Sequence, residues 1–373
     1  LPLFARQSFA EQQQIFHPTG GRRIIIATNV AETALTVPNI RYVIDLGFAR
    51  MSRYDYRSRV QRLPIEAISQ AAANQRKGRC GRIAAGVCIR LYSEEDFTSR
   101  PEFTEPEILR TNLASVILQM ANLGLGEVEN FDFIQPPDNR LVNDGRKLLE
   151  ELGAIATKKP ENSLSTSNNN SKGQSKRHPN QLTKVGQMMA KMPIDPRLAR
   201  MLIAGEQYGC LKELLVIVSG LSVQDPRERP SDKQTQADQK HALFRQADSD
   251  FLFYLSLWQA IHGALFKSDG FKSSEFKSSD LDQQKNAALD DEAAPIAQSP
   301  YENDKLTNSQ RKSFAKKHFL SSLRLREWQQ THSQLLQMVD GLKLTINQEP
   351  ASYVPIHRAL LTGLLSFIAQ KVN

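Results

Sequence analysis

Cysteine is scarce in this 373-residue sequence: only Cys80, Cys88 and Cys210 occur, and their spacing is typical of neither a zinc site nor a disulfide framework. So few thiols fit a reducing compartment, and we therefore expect a cytoplasmic protein. Long apolar runs are missing too, since no stretch approaches the roughly 18 consecutive apolar residues of a membrane span. The sequence predicts no membrane partner and no metal site.

Acidic residues are outnumbered by basic ones, with 40 Asp and Glu against 48 Lys and Arg, which gives a formal net charge of +8. This balance suits a polyanionic partner such as nucleic acid. A solvated basic surface explains the same charge equally well, so composition leaves both interpretations open. With 40% hydrophobic residues, the chain is long enough for two or three domains with their own cores.

The N-terminal region has the pattern of an α/β sheet. Residues 23–27 and 42–45 are short apolar runs typical of buried strands, and residues 30–36 between them are long enough for a short helix or turn. This order of strand, crossover and strand predicts an α/β fold. Three further elements are predicted after it: a protruding two-stranded ribbon over 54–68, a helix over 71–81 and a strand over 87–92.

The pattern changes after residue 97, which we take as the end of a first domain covering residues 1–97. Apolar residues then recur at helical spacing, and small helices with short strands predict a winged-helix domain over residues 98–192. Residues 193–373 predict an all-helical domain. Two polar stretches with little apolar content are expected to be disordered insertions, residues 157–181 and 263–311.

The strongest chemical signal is the octapeptide Gln75-Arg76-Lys77-Gly78-Arg79-Cys80-Gly81-Arg82. On a helix, Gln75, Arg79 and Arg82 share one face, because steps of four and three residues return to the same side. One amide and two guanidinium groups then point together, and the guanidinium fork matches phosphate oxygens. Taken alone, these arginines are equally consistent with surface salt bridges on an ordinary helix.

A second signal, residues 27–36, directly follows the first apolar strand. Ligands in open α/β sheets bind at the carboxyl ends of strands. Hydroxyl and amide side chains there, such as those of Thr28 and Asn29, can hold phosphates without reading bases. The alternative is a local capping turn, in which Thr and Asn commonly occur.

Together these segments resemble motifs V and VI of superfamily 2 helicases, specifically the DEAH-box RNA helicase family and its bacterial HrpA type. Other segments carry the same resemblance: residues 1–6, 42–45, 90–93, 104–110, 148–155, 193–200 and 224–230. The resemblance covers nearly the whole chain outside the two insertions. It implies an incomplete RecA-like α/β domain, the second of a P-loop NTPase helicase, followed by winged-helix and all-α ratchet domains.

The resemblance also implies roles for individual residues. Arg79 and Arg82 are expected to be arginine fingers on the nucleotide. Gln75 is expected to position the nucleotide phosphates or the attacking water. The ribbon over 54–68 is expected to be the hairpin associated with strand separation. Three residues are expected to touch the RNA sugar-phosphate backbone: Thr28, Asn29 and Thr33.

Two patterns of this family are missing from the sequence, the Gly-x-x-x-x-Gly-Lys-Ser/Thr loop and the Asp-Glu-Ala-His tetrapeptide. The first of these cradles nucleotide phosphates. The family therefore implies that ATP and Mg²⁺ are bound mostly by a preceding RecA-like domain, and that this chain alone is inactive. Because the sequence starts at Leu1 inside an apolar run, we also expect a piece of a longer protein whose sheet exposes an apolar edge.

The expected activity of the full-length protein is ATP hydrolysis coupled to 3′–5′ translocation on RNA and to unwinding. Single-stranded or partly duplex RNA is the expected partner, and association with ribosomes or messenger RNA stays open. One alternative is a non-catalytic RNA-binding adaptor, although an adaptor has no need of two converging arginines. Another is a DNA helicase, because motifs that contact only the backbone do not read the 2′-hydroxyl.

Overall fold

A computed structural model describes residues 1–4, 7, 9–17, 20–33, 37–156, 181–230, 232–246, 248–262 and 307–369. The side chains of residues 9, 10, 33 and 308 lie outside this description. The chain divides into two compact units, Leu1–Leu148 and Leu149–Asn373. The domain boundaries at residues 97 and 192 stay predictions.

Parallel strand pairs form the first part of the N-terminal unit. Strand β1 (Pro2–Leu3) pairs with β2 (Ile26–Ala27), and β3 (Tyr42–Asp45) pairs with β8 (Val87–Arg90). Both pairs are parallel, and parallel neighbours need a crossover connection between them. This pairing confirms the α/β fold predicted for this region.

A long antiparallel ribbon lies between β3 and β8 in the sequence. Its four strands are β4 (Phe48–Arg50), β5 (Arg53–Asp55), β6 (Val60–Arg62) and β7 (Ile65–Ala67). Strand β4 pairs with β7 and β5 pairs with β6. The predicted ribbon is confirmed and begins earlier than expected. Pro64 lies where the strands are interrupted, because it has no N–H to donate to a ladder.

Six of the described helices belong wholly or mostly to the N-terminal unit: α1 (Phe9–Gln13), α2 (Val30–Thr33), α3 (Gln70–Lys77), α4 (Glu94–Ser99), α5 (Ala114–Leu123) and α6 (Asn139–Glu151). The unit also contains 3-10 turns at Glu107–Leu109 and Val128–Asn130. Serine caps start two of the helices. The Ser69 hydroxyl accepts from the Ala72 amide at α3, and the Ser93 hydroxyl accepts from the Asp96 amide at α4. Each bond satisfies an amide that a helix start leaves unpaired.

One side of the β3–β8 pair is apolar and exposed. Tyr42 is 70% exposed and Ile44 66%, and their partners in register, Val87 and Ile89, are 52% and 48% exposed. Alternate residues of a strand point to the same face, so these four side chains form one surface. The sequence predicted a buried strand over residues 42–45, and its burial is a wrong prediction, because Tyr42 and Ile44 of β3 are exposed.

The second unit is built from helices, as predicted: α7 (Lys184–Ala190), α8 (Pro196–Gln207), α9 (Leu211–Leu221), α10 (Gln234–Ala242), α11 (Leu252–His262), α12 (Asn308–Lys317), α13 (Ser322–Gly341) and α14 (Tyr353–Leu361), with a 3-10 turn at Leu365–Phe367. Helix α9 is at its centre, with Leu214, Leu215 and Ile217 buried. The indole of Trp328 donates to the Val216 carbonyl at 3.1 Å and to the Ser219 hydroxyl at 2.9 Å. These bonds tie α13 to α9.

The predicted insertions, 157–181 and 263–311, lie largely outside the described residues. The second was predicted too long, because α12 begins within it. The Thr307 hydroxyl accepts from the Gln310 amide at 3.3 Å, and the Gln310 side chain accepts from the Thr307 amide at 2.8 Å. Such a reciprocal cap lets a polar sequence start a helix.

Candidate functional site

Helix α3 ends earlier than the helix predicted over residues 71–81. Its last residue is Lys77, and residues 78–86 form turns and bends before β8. The octapeptide holds two glycines, Gly78 and Gly81, and each costs about 1 kcal/mol relative to alanine inside a helix. The shared helical face of Gln75, Arg79 and Arg82 was therefore a wrong prediction, since only Gln75 lies on α3.

Arg79 and Arg82 nevertheless lie close together. Partial burial lowers the pKa of Arg79, and the positive charge of Arg82 lowers it further. The Arg79 guanidinium donates from Nη2 to the backbone carbonyl of Glu32 in α2. Gln75 is exposed on α3. The structure thus brings the two arginines together by the path of the turn after the helix.

The turn after β2 carries the residues expected to contact RNA. Thr28 and Asn29 are exposed, and the Thr28 amide donates to the Leu3 carbonyl at 3.1 Å. Their own carbonyls accept the first hydrogen bonds of α2, from the amides of Ala31 and Glu32. Both side chains therefore lie at the carboxyl end of a parallel strand, where open sheets bind ligands.

The backbone of Thr33, the third of these residues, ends α2. Its side chain lies outside the described residues. The structure therefore places its position in the chain and leaves its expected RNA contact a prediction.

The remaining arginine of the octapeptide, Arg76, is hydrogen-bonded to three other elements. Its Nη1 donates to Asp45 Oδ1 at 2.8 Å, and its Nε donates to Glu32 Oε2 at 3.1 Å. Its Nη2 donates to the Phe48 carbonyl at 3.2 Å. Arg76 thus links α3 to the end of β3, to α2 and to the start of the ribbon.

The carboxylate of Asp45 is completely buried at the end of β3. Burial raises the pKa of Asp45, but hydrogen bonds from the Gly47 amide, Arg76 and Tyr92 and the charge of Arg76 outweigh this effect, so the pKa lies below its ordinary value. For Arg76 the signs are reversed: burial lowers its pKa, but the bonds to Asp45 and Glu32 raise it above the usual value. Both groups are therefore held in their charged forms.

Tyr92 and Arg100 close this network from the other side. The Tyr92 hydroxyl donates to Asp45 Oδ2 at 2.9 Å. Burial, and then the hydrogen bond to Asp45 and the charge of Asp45, raise the pKa of Tyr92 to about 12. The Arg100 guanidinium lies 4.0 Å from the centre of the Tyr92 ring and donates to the Gly47 carbonyl at 2.9 Å. The site is braced by packed aromatic and charged groups.

Sequence reasoning assigned no role to Arg76, Asp45, Glu32 or Tyr92. A signal was present at Asp45, which ends an apolar strand run. A carboxylate buried there needs a cationic or hydrogen-bonding partner. The identity of that partner depends on residues far away in the sequence.

The ribbon is held against the rest of its unit. The Tyr54 hydroxyl donates to Asp144 Oδ2 of α6 at 2.6 Å, and Arg59 forms an ion pair with the same carboxylate at 3.5 Å. The Tyr54 amide donates to the Arg110 carbonyl at 2.8 Å. The ribbon therefore does not simply protrude as predicted, because polar groups of later elements hold its outer half; Arg57 at its tip is exposed.

Comparison with known protein families matches two segments of the chain. Residues 2–84 match the helicase conserved C-terminal domain, and residues 195–254 match the ratchet-like helicase associated domain HA2. The chain is 51% identical over 374 residues to the ATP-dependent RNA helicase HrpA homolog of Haemophilus influenzae. It is 48% identical over 371 residues to the ATP-dependent RNA helicase HrpA of Escherichia coli.

The similarity to these two helicases extends over the whole chain. All of it aligns with both relatives, and it spans 24% of the length of each. The first match contains Thr28, Asn29 and the octapeptide up to Arg82, so the candidate site falls within the helicase C-terminal domain. The second match begins at Asp195, which caps α8 by accepting from the Arg197 amide.

Within the described residues, no helix is long and apolar enough to cross a membrane. The same residues hold no cluster of three or more His, Cys, Asp or Glu that could bind a metal ion. The carboxylates of Asp45 and Glu32 form ion pairs with Arg76. Guanidinium groups such as those of Arg79 and Arg82 match the geometry of phosphate oxygens.

Proposed function

We propose that this chain is part of an ATP-dependent RNA helicase. In the full-length enzyme, ATP hydrolysis is coupled to 3′–5′ translocation on RNA and to unwinding. The observation that carries the proposal is the hydrogen bond from Arg79 to the backbone carbonyl of Glu32, which places the arginine against the short helix that follows Thr28 and Asn29. Cationic groups for a nucleotide and polar groups for a nucleic-acid backbone thus adjoin in one unit.

Arg79 and Arg82 act as arginine fingers in this proposal. Phosphoryl transfer spreads negative charge over the oxygens of the γ-phosphate, and guanidinium groups stabilise that charge. Mg²⁺ would supply further positive charge at the phosphates, and its ligands would come mostly from a preceding RecA-like domain. Gln75, exposed on α3, positions the phosphates or the attacking water.

Thr28, Asn29 and Thr33 bind the sugar-phosphate backbone of single-stranded or partly duplex RNA. A hydroxyl and an amide exposed at a strand end hold phosphate oxygens without selecting a base sequence. This agrees with an enzyme that moves along RNA of any sequence. Association with ribosomes or messenger RNA in the cytoplasm belongs to the same proposal.

We propose three domains for the chain: a second RecA-like domain over residues 1–97, a winged-helix domain over 98–192 and a ratchet domain over 193–373. ATP hydrolysis requires a phosphate-binding loop, which this sequence does not contain. The chain by itself is therefore inactive.

The test uses the full-length HrpA-type protein that contains this chain, with Arg79→Ala and Arg82→Ala. We expect RNA-stimulated ATP hydrolysis to fall by about a thousandfold or more, since arginine fingers contribute at least that much. RNA affinity, measured separately, should stay within about twofold, because neither arginine contacts RNA in the proposal.

Arg326→Ala is the matched control, because Arg326 is exposed on α13 in the other unit. It should leave hydrolysis at the wild-type rate. If Arg79→Ala and Arg82→Ala also retain that rate, the arginines are structural and a non-catalytic RNA-binding adaptor becomes the better proposal.

A further inference from the structure

Glu32 accepts hydrogen bonds from two arginines of the octapeptide, one at its side chain and one at its backbone carbonyl. Its side-chain Oε2 accepts from Arg76 Nε at 3.1 Å, and its backbone carbonyl accepts from Arg79 Nη2. Its own amide donates to the carbonyl of Asn29. One residue of α2 therefore contacts both the proposed RNA-binding turn and a proposed arginine finger.

The opposite side of this link is fixed. Arg76 is held by the fully buried carboxylate of Asp45 at 2.8 Å, and Asp45 also accepts from Tyr92 and from the Gly47 amide. Separating a buried arginine from its carboxylate is costly, because the remaining charge stays unpaired away from water. Arg76 is therefore held at the end of β3, and Glu32 is its partner on α2.

We infer that Glu32 is a positioning residue that transmits RNA binding at the turn after β2 to the arginines after α3, an inference that rests on the proposed function. Helix α2 has only four residues and starts at the turn that holds Thr28 and Asn29. A displacement of that turn by RNA displaces Glu32. The hydrogen-bonding carbonyl of Glu32 then moves relative to Arg79, while the carboxylate keeps α2 in register with α3 through Arg76.

This assignment explains why a carboxylate occupies position 32. The side chain of Glu32 is 14% exposed and that of Arg76 is 17% exposed, so their ion pair is largely shielded from water. A shielded pair resists separation more than a surface pair does. Glutamine at this position keeps the hydrogen-bond acceptor and loses the charge, which separates the electrostatic link from side-chain size.

The experiment compares Glu32→Gln and Glu32→Ala with wild type in the full-length protein, using ATP and a single-stranded homopolymeric RNA. The ratio of the RNA-saturated to the RNA-free hydrolysis rate should fall about tenfold, a typical size for coupling between two sites. Alanine should lower the ratio at least as much as glutamine. Glu94→Gln, on an exposed carboxylate of α4, is the matched control and should keep the wild-type ratio.

A purely structural role for Glu32 predicts a different result, since it lowers both rates by the same factor and leaves the ratio unchanged. That result overturns the inference while leaving the proposed function intact. Failure of wild type itself to respond to RNA instead contradicts the proposed function.

A second measurement needs no substitution and therefore does not depend on a variant that folds. Hydrogen–deuterium exchange of the wild-type protein should show that RNA, without nucleotide, changes the protection of the backbone amides of residues 78–86. Unchanged protection of these amides, with RNA bound at saturation, also overturns the inference.

Discussion

Gly47 follows β3 at a point where neighbouring side chains leave no room for a Cβ. Its φ is +78°, and an added Cβ would lie 2.7 Å from the Tyr92 ring and 2.8 Å from Arg100 Nη1. Both groups belong to the network around Asp45, so neither can move away without breaking hydrogen bonds. The absence of a side chain at Gly47 therefore allows Tyr92 and Arg100 to pack around Asp45.

We predict that Gly47→Ala destabilises this part of the unit by about 2 kcal/mol, roughly thirtyfold in local opening, because it combines backbone strain with steric overlap. Hydrogen exchange of the β3 and β8 amides in the full-length protein measures the effect. Gly21→Ala, where an added Cβ meets nothing within 4 Å, should leave the same amides unchanged. Wild-type exchange in Gly47→Ala would contradict the steric argument.

The partners of the arginines in the octapeptide could not be predicted from the sequence. Arg76, Arg79 and Arg82 look alike in the octapeptide, yet Arg76 donates to the carboxylates of Asp45 and Glu32, whereas Arg79 donates to the backbone carbonyl of Glu32. Those carboxylates are 31 and 44 residues away in the sequence, so spacing within the motif contains no information about them. The inward arginine is chosen by tertiary contacts.

Among the elements, strands were predicted better than helix ends. A short apolar run is enough to identify a strand, as for β3 and β8, even though most of the apolar side chains of these strands are exposed. The end of α3 at Lys77 depends instead on a small difference in propensity and on the path of the following turn. Because Arg79 and Arg82 lie beyond that end, the helical face predicted for them together with Gln75 does not form.

The ribbon gives a prediction at this scale. Tyr54→Phe removes the 2.6 Å hydrogen bond to the Asp144 carboxylate and leaves the ring in place. A hydrogen bond to a charged group contributes about 1.5 kcal/mol, so the ribbon should open roughly tenfold more often. Exchange of the β5 and β6 amides measures this. Tyr42→Phe, at a ring that is 70% exposed, is the control, and an equal effect there would exclude the Asp144 bond as the cause.

For the whole molecule, the proposed direction of movement can be measured directly. A helicase that travels 3′–5′ loads on a single-stranded 3′ overhang, so the full-length protein should unwind RNA duplexes with a 3′ overhang much faster than those with a 5′ overhang. Unwinding should stop without ATP. A preference for the 5′ overhang would refute the proposed polarity, and equal unwinding of matched DNA duplexes would remove the proposed preference for RNA.

The helicase C-terminal match could be predicted because the residues of two short motifs, 27–36 and 75–82, suit the binding of phosphates and of a nucleic-acid backbone. Winged-helix and ratchet boundaries could not be fixed in the same way, since helices such as α8 and α9 are recognisable by burial alone and many folds contain them. The start of α12 shows the same limit, because its cap at Thr307 lies in a polar stretch that composition alone assigns to an insertion.

Trp258 and Trp328 are the two tryptophans of the chain, and their rings lie 5.1 Å apart in the helical unit. His262 stacks on Trp258 at 4.0 Å, and Trp328 is bonded to α9. Tryptophan fluorescence of this chain therefore originates at one packing centre formed by α9, α11 and α13. The chain contains its own optical reporter of that centre, and the arginine site has no tryptophan of its own to contribute to the signal.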